Sequence, residues 1–273
     1  MPKNKGSVGS EPTKAPIIIG GCPRSGTTLL RTMLDSHPNI YSGPELAITM
    51  QTAQAAIDSW NRIGDRAAYS YGLEDGDFAE GFGKALEHVL ERIREKSGKP
   101  RVADKMPQSI QHFPTLCWML PESKFVHVIR DGRDVAASLL RRDDMFDDNT
   151  GELMDFCKNP ISGVRYWSWI VQRGMKLRSP HPCSDRYYEL YYEDLVNFPK
   201  ETMVNLLEFL DEPWDESVLE HSTYEHNMEN DKGLEVQPVT NSRIGRWKDQ
   251  LNDLQKKEVH MEIGKMLRVL NYI

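Results

Sequence analysis

The sequence predicts an α/β fold, a mainly parallel β-sheet flanked by helices on both faces, and three observations carry that expectation. Residues 16–20, PIIIG, are a short β-branched run bounded by Pro and Gly, the pattern of a strand buried on both sides. A glycine-bearing loop follows, and then residues 27–36, TTLLRTMLDS, place Leu29, Leu30, Met33 and Leu34 at helical spacing before HPN stops the helix. Each later strand candidate also precedes a helical pattern, which implies repeated strand–helix–strand units.

Three further strands are expected: RVAD at 101–104, KFVHVI at 124–129 and the aromatic run YYELYY at 187–192. Residues 78–97 put Phe78, Phe82, Leu86, Val89, Leu90 and Ile93 on one helical face, with Gly98 as the stop. Helices are also expected over 133–142, 161–177 and 251–270, the last with Val259, Ile263, Met266, Leu267 and Leu270 as its buried stripe. Trp167 and Trp169 lie two apart in one helix and point to different sides, so at least one is core. In such a sheet ligands bind beyond the carboxyl ends of the strands. The loops after residues 20, 104, 129 and 192 should therefore converge on one crevice.

The 273 residues contain no linker-like stretch after residue 15, so one domain over 16–273 is expected behind a disordered arm, 1–15. That arm lacks the apolar segment of a secretory leader. A hydrophobic content of 39% and a charged content of 27% allow an ordinary core. The chain is without the run of about 18 apolar residues that a membrane span needs. A net charge of −7 argues against general nucleic-acid binding. Arg130, Arg133, Arg141 and Arg142 nevertheless crowd one stretch, which suits a small anionic ligand in a locally positive pocket. Cys22, Cys117, Cys157 and Cys183 show neither close pairing nor metal-ligand spacing, and reduced thiols in a cytoplasm are expected. The histidines form no zinc motif, and no metal is expected.

Two motifs carry chemistry. In GGCPRSGTT, residues 20–28, Gly20, Gly21 and Gly26 let several N–H groups converge at the start of a helix, an arrangement that binds phosphate. Arg24 and the hydroxyls of Ser25, Thr27 and Thr28 add charge and donors. A Walker loop would end in Gly-Lys-Ser/Thr, and that Lys-Ser/Thr pair is missing. Taken alone, a polar turn on the surface would read the same way. In VIRDGRDVAASLLRR, residues 128–142, Arg130 leaves the end of a strand, while Ser138 and Arg142 stand at i, i+4 on the expected helix and can hold one phosphate together. Taken alone, the stretch would read equally as a solvated basic helix start with Asp131 and Asp134 as surface partners.

The pair of motifs, in this order and separation, resembles the 3′-phosphoadenosine 5′-phosphosulfate (PAPS)-dependent sulfotransferase family, most of all protein-tyrosine sulfotransferases and their bacterial relatives. The likeness runs in pieces from about residue 16 to residue 248. It implies a P-loop-like fold, PAPS as co-substrate with 3′-phosphoadenosine 5′-phosphate (PAP) as product, and no metal. Arg24, Ser25, Gly26, Thr27 and Thr28 would hold the 5′-phosphosulfate, Arg130, Ser138 and Arg142 the 3′-phosphate, and Tyr192 would lie near the nucleotide. Glu45 in SGPEL matches the tyrosine-specific family's catalytic glutamate. Such a carboxylate can take the acceptor's proton. Lys105 in ADKMP would meet the bridging oxygen and, with Arg24, stabilise charge on the leaving group. Trp247 in NSRIGRWKDQL would close over the nucleotide, with Arg243, Arg246 and Lys248 as further phosphate or adenine contacts. The tyrosine-specific pattern has a serine two positions before that tryptophan. Gly245 stands there in this sequence, and Ser242 is the candidate substitute.

The acceptor would be a hydroxyl on a phenol, a peptide tyrosine, a sugar or another alcohol. Residues 46–77 and 143–165 are expected to form an irregular helical cap on the acceptor side and carry no readable code. A homodimer is compatible with the sequence. Two other readings compete: a Mg²⁺-dependent P-loop kinase, for which the lysine is missing and Asp104 alone is a poor metal carboxylate, and a catalytically silent nucleotide-binding module, which would need neither Glu45 nor Lys105.

Overall fold

The structure, a computed structural model, describes residues 15–147, 150–227 and 237–273. Residues 1–14 of the expected arm and Asp148 in the cap lie outside them. Five strands, β1 (Ile17–Gly21), β2 (Ile40–Tyr41), β3 (Arg101–Lys105), β4 (Lys124–Ile129) and β5 (Tyr187–Tyr191), form one sheet in the order β2-β3-β1-β4-β5. All four pairings are parallel. The helices are α1 (Thr27–Ser36), α2 (Ile48–Tyr71), α3 (Asp75–Ser97), α4 (Phe113–Met119), α5 (Gly132–Leu139), α6 (Asp155–Lys158), α7 (Pro160–Gly174), α8 (Tyr192–Asn197), α9 (Pro199–Phe209), α10 (Trp247–Gln250) and α11 (Asp253–Val269).

Alternation along each strand divides the core in two. Ile17, Ile19, Val126, Val128 and Leu190 face α1 and α9, packing on Leu30, Met33, Leu34, Met203 and Leu206. Ile18, Phe125 and Ile129 face the other way, onto Leu86, Leu116, Trp167, Ile170 and Ile263 of α3, α4, α7 and α11. Both faces are thus covered, as the unbroken apolar strands require. Trp167 is fully buried and Trp169 is 41% exposed, the split their spacing dictates. In α3, Leu86 and Leu90 are buried as expected, but Val89 is 38% exposed and lies off the stripe.

Three expectations need correction. Residues 46–77 hold a regular 24-residue helix, α2, packed antiparallel-style as a hairpin against α3; its inward residues are Thr49, Ala53, Ala56, Gly64 and Ala67. Small side chains bury little area each, so no hydrophobic period showed. The helix expected over 133–142 stops at Leu139, and Arg142 lies beyond it. Cys117 and Cys183, 66 residues apart, form a disulfide between α4 and the approach to β5. Their spacing hid the pairing because the sheet order, not the chain, brings them together. His181 lies beside them with ligand atoms mutually within 4.8 Å, but both sulfurs are spent in the bridge and Arg186 Nη2 donates to each.

Candidate active site

The loop between β1 and α1 turns on two left-handed residues, Arg24 at φ 75° and Gly26 at φ 95°. For Arg24 that conformation costs about 1–2 kcal/mol, the kind of strain that collects at functional sites. Gly26 has a second constraint: a Cβ there would come 2.4 Å from Cδ2 of Tyr192, whose ring covers the turn. The ten-residue α1 begins at Thr27, and its first N–H groups have no intrahelical acceptor. They open beside Ser25, whose fully buried hydroxyl finds no partner among the described residues.

The tips of β3, β4 and β5 close around this loop. Arg24 Nε donates to Ser138 Oγ at 3.2 Å, joining the two sequence motifs directly. Arg130, at the end of β4, is buried at 6% exposure. It donates through Nη1 to the Arg24 carbonyl at 2.9 Å and through Nη2 to the Arg243 carbonyl at 2.6 Å, and it lies 4.5 Å over the Tyr192 ring. Trp167 Nε1 holds the Arg130 carbonyl from below at 3.0 Å. No carboxylate forms a salt bridge with Arg130 among the described residues, and its buried Nε has no partner. A buried guanidinium that spends its donors on carbonyls keeps its positive charge for an anion. Burial pushes the Tyr192 phenol up from its ordinary value, with Arg130 and Arg243 pulling it back, so the ring stays neutral.

Lys105, at the tip of β3, is buried and donates to Thr28 Oγ1 at 3.3 Å and to Glu45 Oε1. Glu45 arrives on the loop between β2 and α2, and its side chain stays 43% exposed while Lys105 is 4% exposed. The predicted base and the predicted charge stabiliser therefore form one ion pair at the mouth of the anion loop.

Other predicted residues sit differently. Arg142, past the end of α5, is held bidentate by Asp144 at 2.6 Å through both Nε and Nη2, so it does not share a helical face with Ser138. The Trp247 indole lies against the Arg133 guanidinium, 4.4 Å away. Ser242 is exposed; its backbone, not its hydroxyl, is engaged, the N–H by Thr240 and the carbonyl by Arg246. Gly245 takes φ 73° and gives its N–H to Asp134 at 2.7 Å. The missing serine thus coincides with a left-handed turn that any side chain would strain.

Two residues escaped the sequence reading. Asp134, a surface partner in the alternative reading of its motif, is 2% exposed and accepts from Gly245 N and Trp247 N, strapping residues 243–247 across the start of α5. Burial pushes its carboxyl up, and those two N–H groups pull it back. Glu193 accepts from Asp131 N and from the Tyr272 hydroxyl, tying the chain's last residues to the same helix start. Both contacts span more than 60 positions, and no local signal marks them.

Comparison with known proteins agrees with this geometry. The model of the sulfotransferase family matches residues 16–216. A protein-tyrosine sulfotransferase of Drosophila melanogaster is 28% identical over 94% of this chain, and the match covers 51% of that protein. Protein-tyrosine sulfotransferase A of Caenorhabditis elegans is 29% identical over 94% of the chain, covering 67% of its own length. The human protein-tyrosine sulfotransferase 1 is 28% identical over 94% of the chain and 69% of its own length. The chain thus spans about half to two thirds of these relatives. Among solved structures, the sulfotransferase domain of the Synechococcus olefin synthase superposes with a TM-score of 0.62 at 21% identity, over 93% of this chain and 97% of that domain. The sulfotransferase domain of the curacin biosynthetic pathway gives 0.61 at 20% identity, over 94% and 98%. These two likenesses establish the fold.

Proposed function

This chain belongs to the sulfotransferase family, and we propose that it transfers a sulfuryl group from PAPS to the phenolic hydroxyl of tyrosine in a peptide or protein. The observation that carries the reading is the contact chain Glu45–Lys105–Thr28 at the mouth of the anion loop, beside the Arg24–Ser138 link. A nucleotide-binding module needs the second of these and has no use for the first.

The residues present fit PAPS. Ser25 Oγ and Arg130 Nε are buried donors without a partner among the described residues, and a phosphate-bearing ligand offers the oxygens they lack. Arg24, Ser25, Gly26, Thr27 and Thr28 would hold the 5′-phosphosulfate, and Arg130 and Ser138 the 3′-phosphate, with Tyr192 beside the nucleotide. Arg142 joins them only by leaving Asp144. When bound, the donor supplies a sulfuryl group on a phosphate leaving group. Glu45 then accepts the phenolic proton as the acceptor oxygen bonds to sulfur and the sulfur–phosphate oxygen bond breaks. Lys105 releases Glu45 and meets the negative charge growing on the departing oxygen, aided by Arg24. A phenol, with a pKa of about 10, gives up its proton more readily than an alcohol does.

Tyrosine as acceptor is supported by the names of the relatives and by exposure: Glu45 is 43% exposed and the adjacent Leu46 51% exposed, an open rim that an extended peptide can reach. No divalent cation is proposed to take part: the loop ends Arg-Ser-Gly-Thr-Thr, with Thr27 where a Walker loop has its phosphate-binding lysine. Cytoplasmic residence is likewise a proposal. The Cys117–Cys183 bridge removes the argument from unpaired thiols, and fractionation of the native host checks the compartment. No helix among the described residues is long and apolar enough to cross a membrane.

The test is turnover of a single-tyrosine peptide with PAPS in EDTA, read as the mass gain of one sulfuryl group, with the phenylalanine peptide as control. Glu45→Gln should lower kcat by roughly 10²–10⁴-fold and leave PAP affinity intact. Turnover only with ATP and Mg²⁺ would overthrow the proposal in favour of a kinase.

A further inference from the structure

Glu45 sits in the segment 42–47, between β2 and α2, and the hydrogen bond seen at its carboxylate comes from Lys105. A base must meet its proton within hydrogen-bond reach, and a misplacement of about 1 Å can cost ~10²-fold in rate. What holds this segment therefore matters as much as the carboxylate itself.

Its upstream end is gripped from α1 and β3. Arg31 Nη1 donates to the Ser42 carbonyl at 2.6 Å and the Gly43 carbonyl at 3.3 Å. Ser42 N donates to Asp35 Oδ1 at 2.9 Å, and Ser42 Oγ to the Ala103 carbonyl at 2.7 Å. The downstream end passes through Ala47, held at φ 53° and ψ 5°. A non-glycine residue stays in that region only when its surroundings over-determine it. Two residues further on is the candidate for that constraint. Thr49, on the first turn of α2, is fully buried; its hydroxyl donates to Asp104 Oδ2 and lies 3.1 Å from Ser109 Oγ.

Asp104 is 7% exposed and adjoins Lys105 on β3. Its register partner Ile18 belongs to the core beneath α3 and α7, whereas Ile19, the partner of Lys105, belongs to the core beneath α1. The two side chains thus leave opposite faces of one strand. Lys105 holds the Glu45 carboxylate, and Asp104 holds the helix into which the Glu45 segment runs. Burial pushes the Asp104 carboxyl up, and the Thr49 hydroxyl and the Lys105 charge pull it back. An acid in so unfavourable a place is kept by the partners it holds.

We propose that Asp104 and Thr49 are positioning residues for Glu45: their buried hydrogen bond pins the first turn of α2 to β3 and so sets where the 42–47 segment presents its carboxylate. The inference rests on Glu45 being the base. Thr49→Val keeps the shape and removes the hydroxyl. It should lower kcat for peptide sulfation by ~10-fold or more while PAP affinity and the donor KM stay within about two-fold, because the anion loop is untouched. Thr49→Ser, which restores the hydroxyl, should bring kcat back to within about three-fold of wild type. Hydrogen exchange should quicken at 42–49 in Thr49→Val and stay unchanged at 24–28. Should Thr49→Val not fold, Ser109→Ala removes only the second partner of Thr49 and should show the same kcat-selective loss at smaller size. Wild-type kcat in either valine or alanine variant, equal losses of kcat and PAP affinity, or failure of serine to rescue would each overturn the proposal. Glu45→Gln at wild-type kcat would overturn instead the base assignment on which it stands.

Discussion

Arg130→Ala is the sharpest probe of the donor site, because the structure separates two things the side chain does. As a brace, Arg130 donates to the Arg24 and Arg243 carbonyls and lies against Tyr192. As a buried cation with no salt-bridged carboxylate among the described residues, it is the proposed partner of the 3′-phosphate. A hydrogen bond to a charged group is worth about 1.5–3 kcal/mol, so loss of the phosphate contact should raise the Kd for PAP by roughly 10–150-fold at 25 °C. Loss of the brace removes the hold on the Arg243 carbonyl, although Asp134 still straps Gly245 and Trp247, and removes a cation–π contact worth ~0.5–2 kcal/mol, which lowers stability and weakens any nucleotide. Calorimetry with two ligands distinguishes these effects: PAP, and adenosine 5′-monophosphate, which lacks the 3′-phosphate. Wild type should prefer PAP strongly. Arg130→Ala should lose most of that preference, with a coupling of about 1.5–3 kcal/mol between residue and phosphate. If the variant weakens both ligands by the same factor, Arg130 is a brace alone and the 3′-phosphate assignment is refuted. Arg130→Lys should recover little, since a point charge replaces a planar fork.

Three other substitutions test the anion loop, the disulfide and the buried histidine. Gly26→Ala forces a Cβ to within 2.4 Å of the Tyr192 ring at φ 95°, so both melting temperature and PAP affinity should fall. In a Tyr192→Ala background the substitution should cost less, the strained φ of about 1–2 kcal/mol remaining; equal costs in both backgrounds would discount the ring contact. Cys117→Ser, or reduction of the wild type, opens a 66-residue loop and should cost up to about 4 kcal/mol. Thermal melts with and without reductant check it, and identical melts would show that the bridge contributes nothing. Fully buried His127 donates from Nδ1 to the Tyr187 oxygen, whose own hydroxyl proton goes to Glu189, and its Nε2 has no partner. Burial holds its pKa down to about 3, below the unfolded value of about 6.5. The unfolded chain therefore binds the extra proton first: the contribution of His127 is intact above pH ~6.5 and drains away toward pH ~3, with a slope approaching 1.4 kcal/mol per unit between. Denaturant titrations at pH 7, 5.5 and 4 should show that slope in wild type and a flatter one in His127→Gln.

The strand–loop–helix unit that carries the proposed donor site was legible because its signals are local. A β-branched run, a glycine loop and an apolar period occupy twenty consecutive residues, and Thr27–Ser36 emerged with the expected ends. The acceptor half was not legible, and α2 shows why. Its inward residues are Thr49, Ala53, Ala56, Gly64 and Ala67, too small to mark a period, while the large Tyr69 and Tyr71 are exposed. The same holds for contacts that the sheet order creates. Asp134 reaches Trp247 across 113 positions, and Cys117 meets Cys183 across 66; nothing in either neighbourhood names the other. Arg142 failed for a different reason: the i, i+4 argument assumed a helix that ends three residues earlier, at Leu139.

This division has a physical basis. An anion is recognised by backbone N–H groups and fixed dipoles at one strand-to-helix junction, so the chain must supply glycine, hydroxyl and arginine in a narrow order. A base need only arrive within hydrogen-bond distance of its proton, and many scaffolds can deliver it. Here the delivery depends on Arg31, Asp35, Ala103 and Asp104, side chains and a carbonyl from two elements that also build the donor site. The segment that bears the proposed base is therefore tied at both ends to elements flanking the β1–α1 loop, while Glu45 and Leu46 are exposed on its outer surface, where the proposed acceptor would approach. Substitutions on that outer surface should alter the choice of acceptor without moving the base, whereas substitutions at the tethers should slow every acceptor alike.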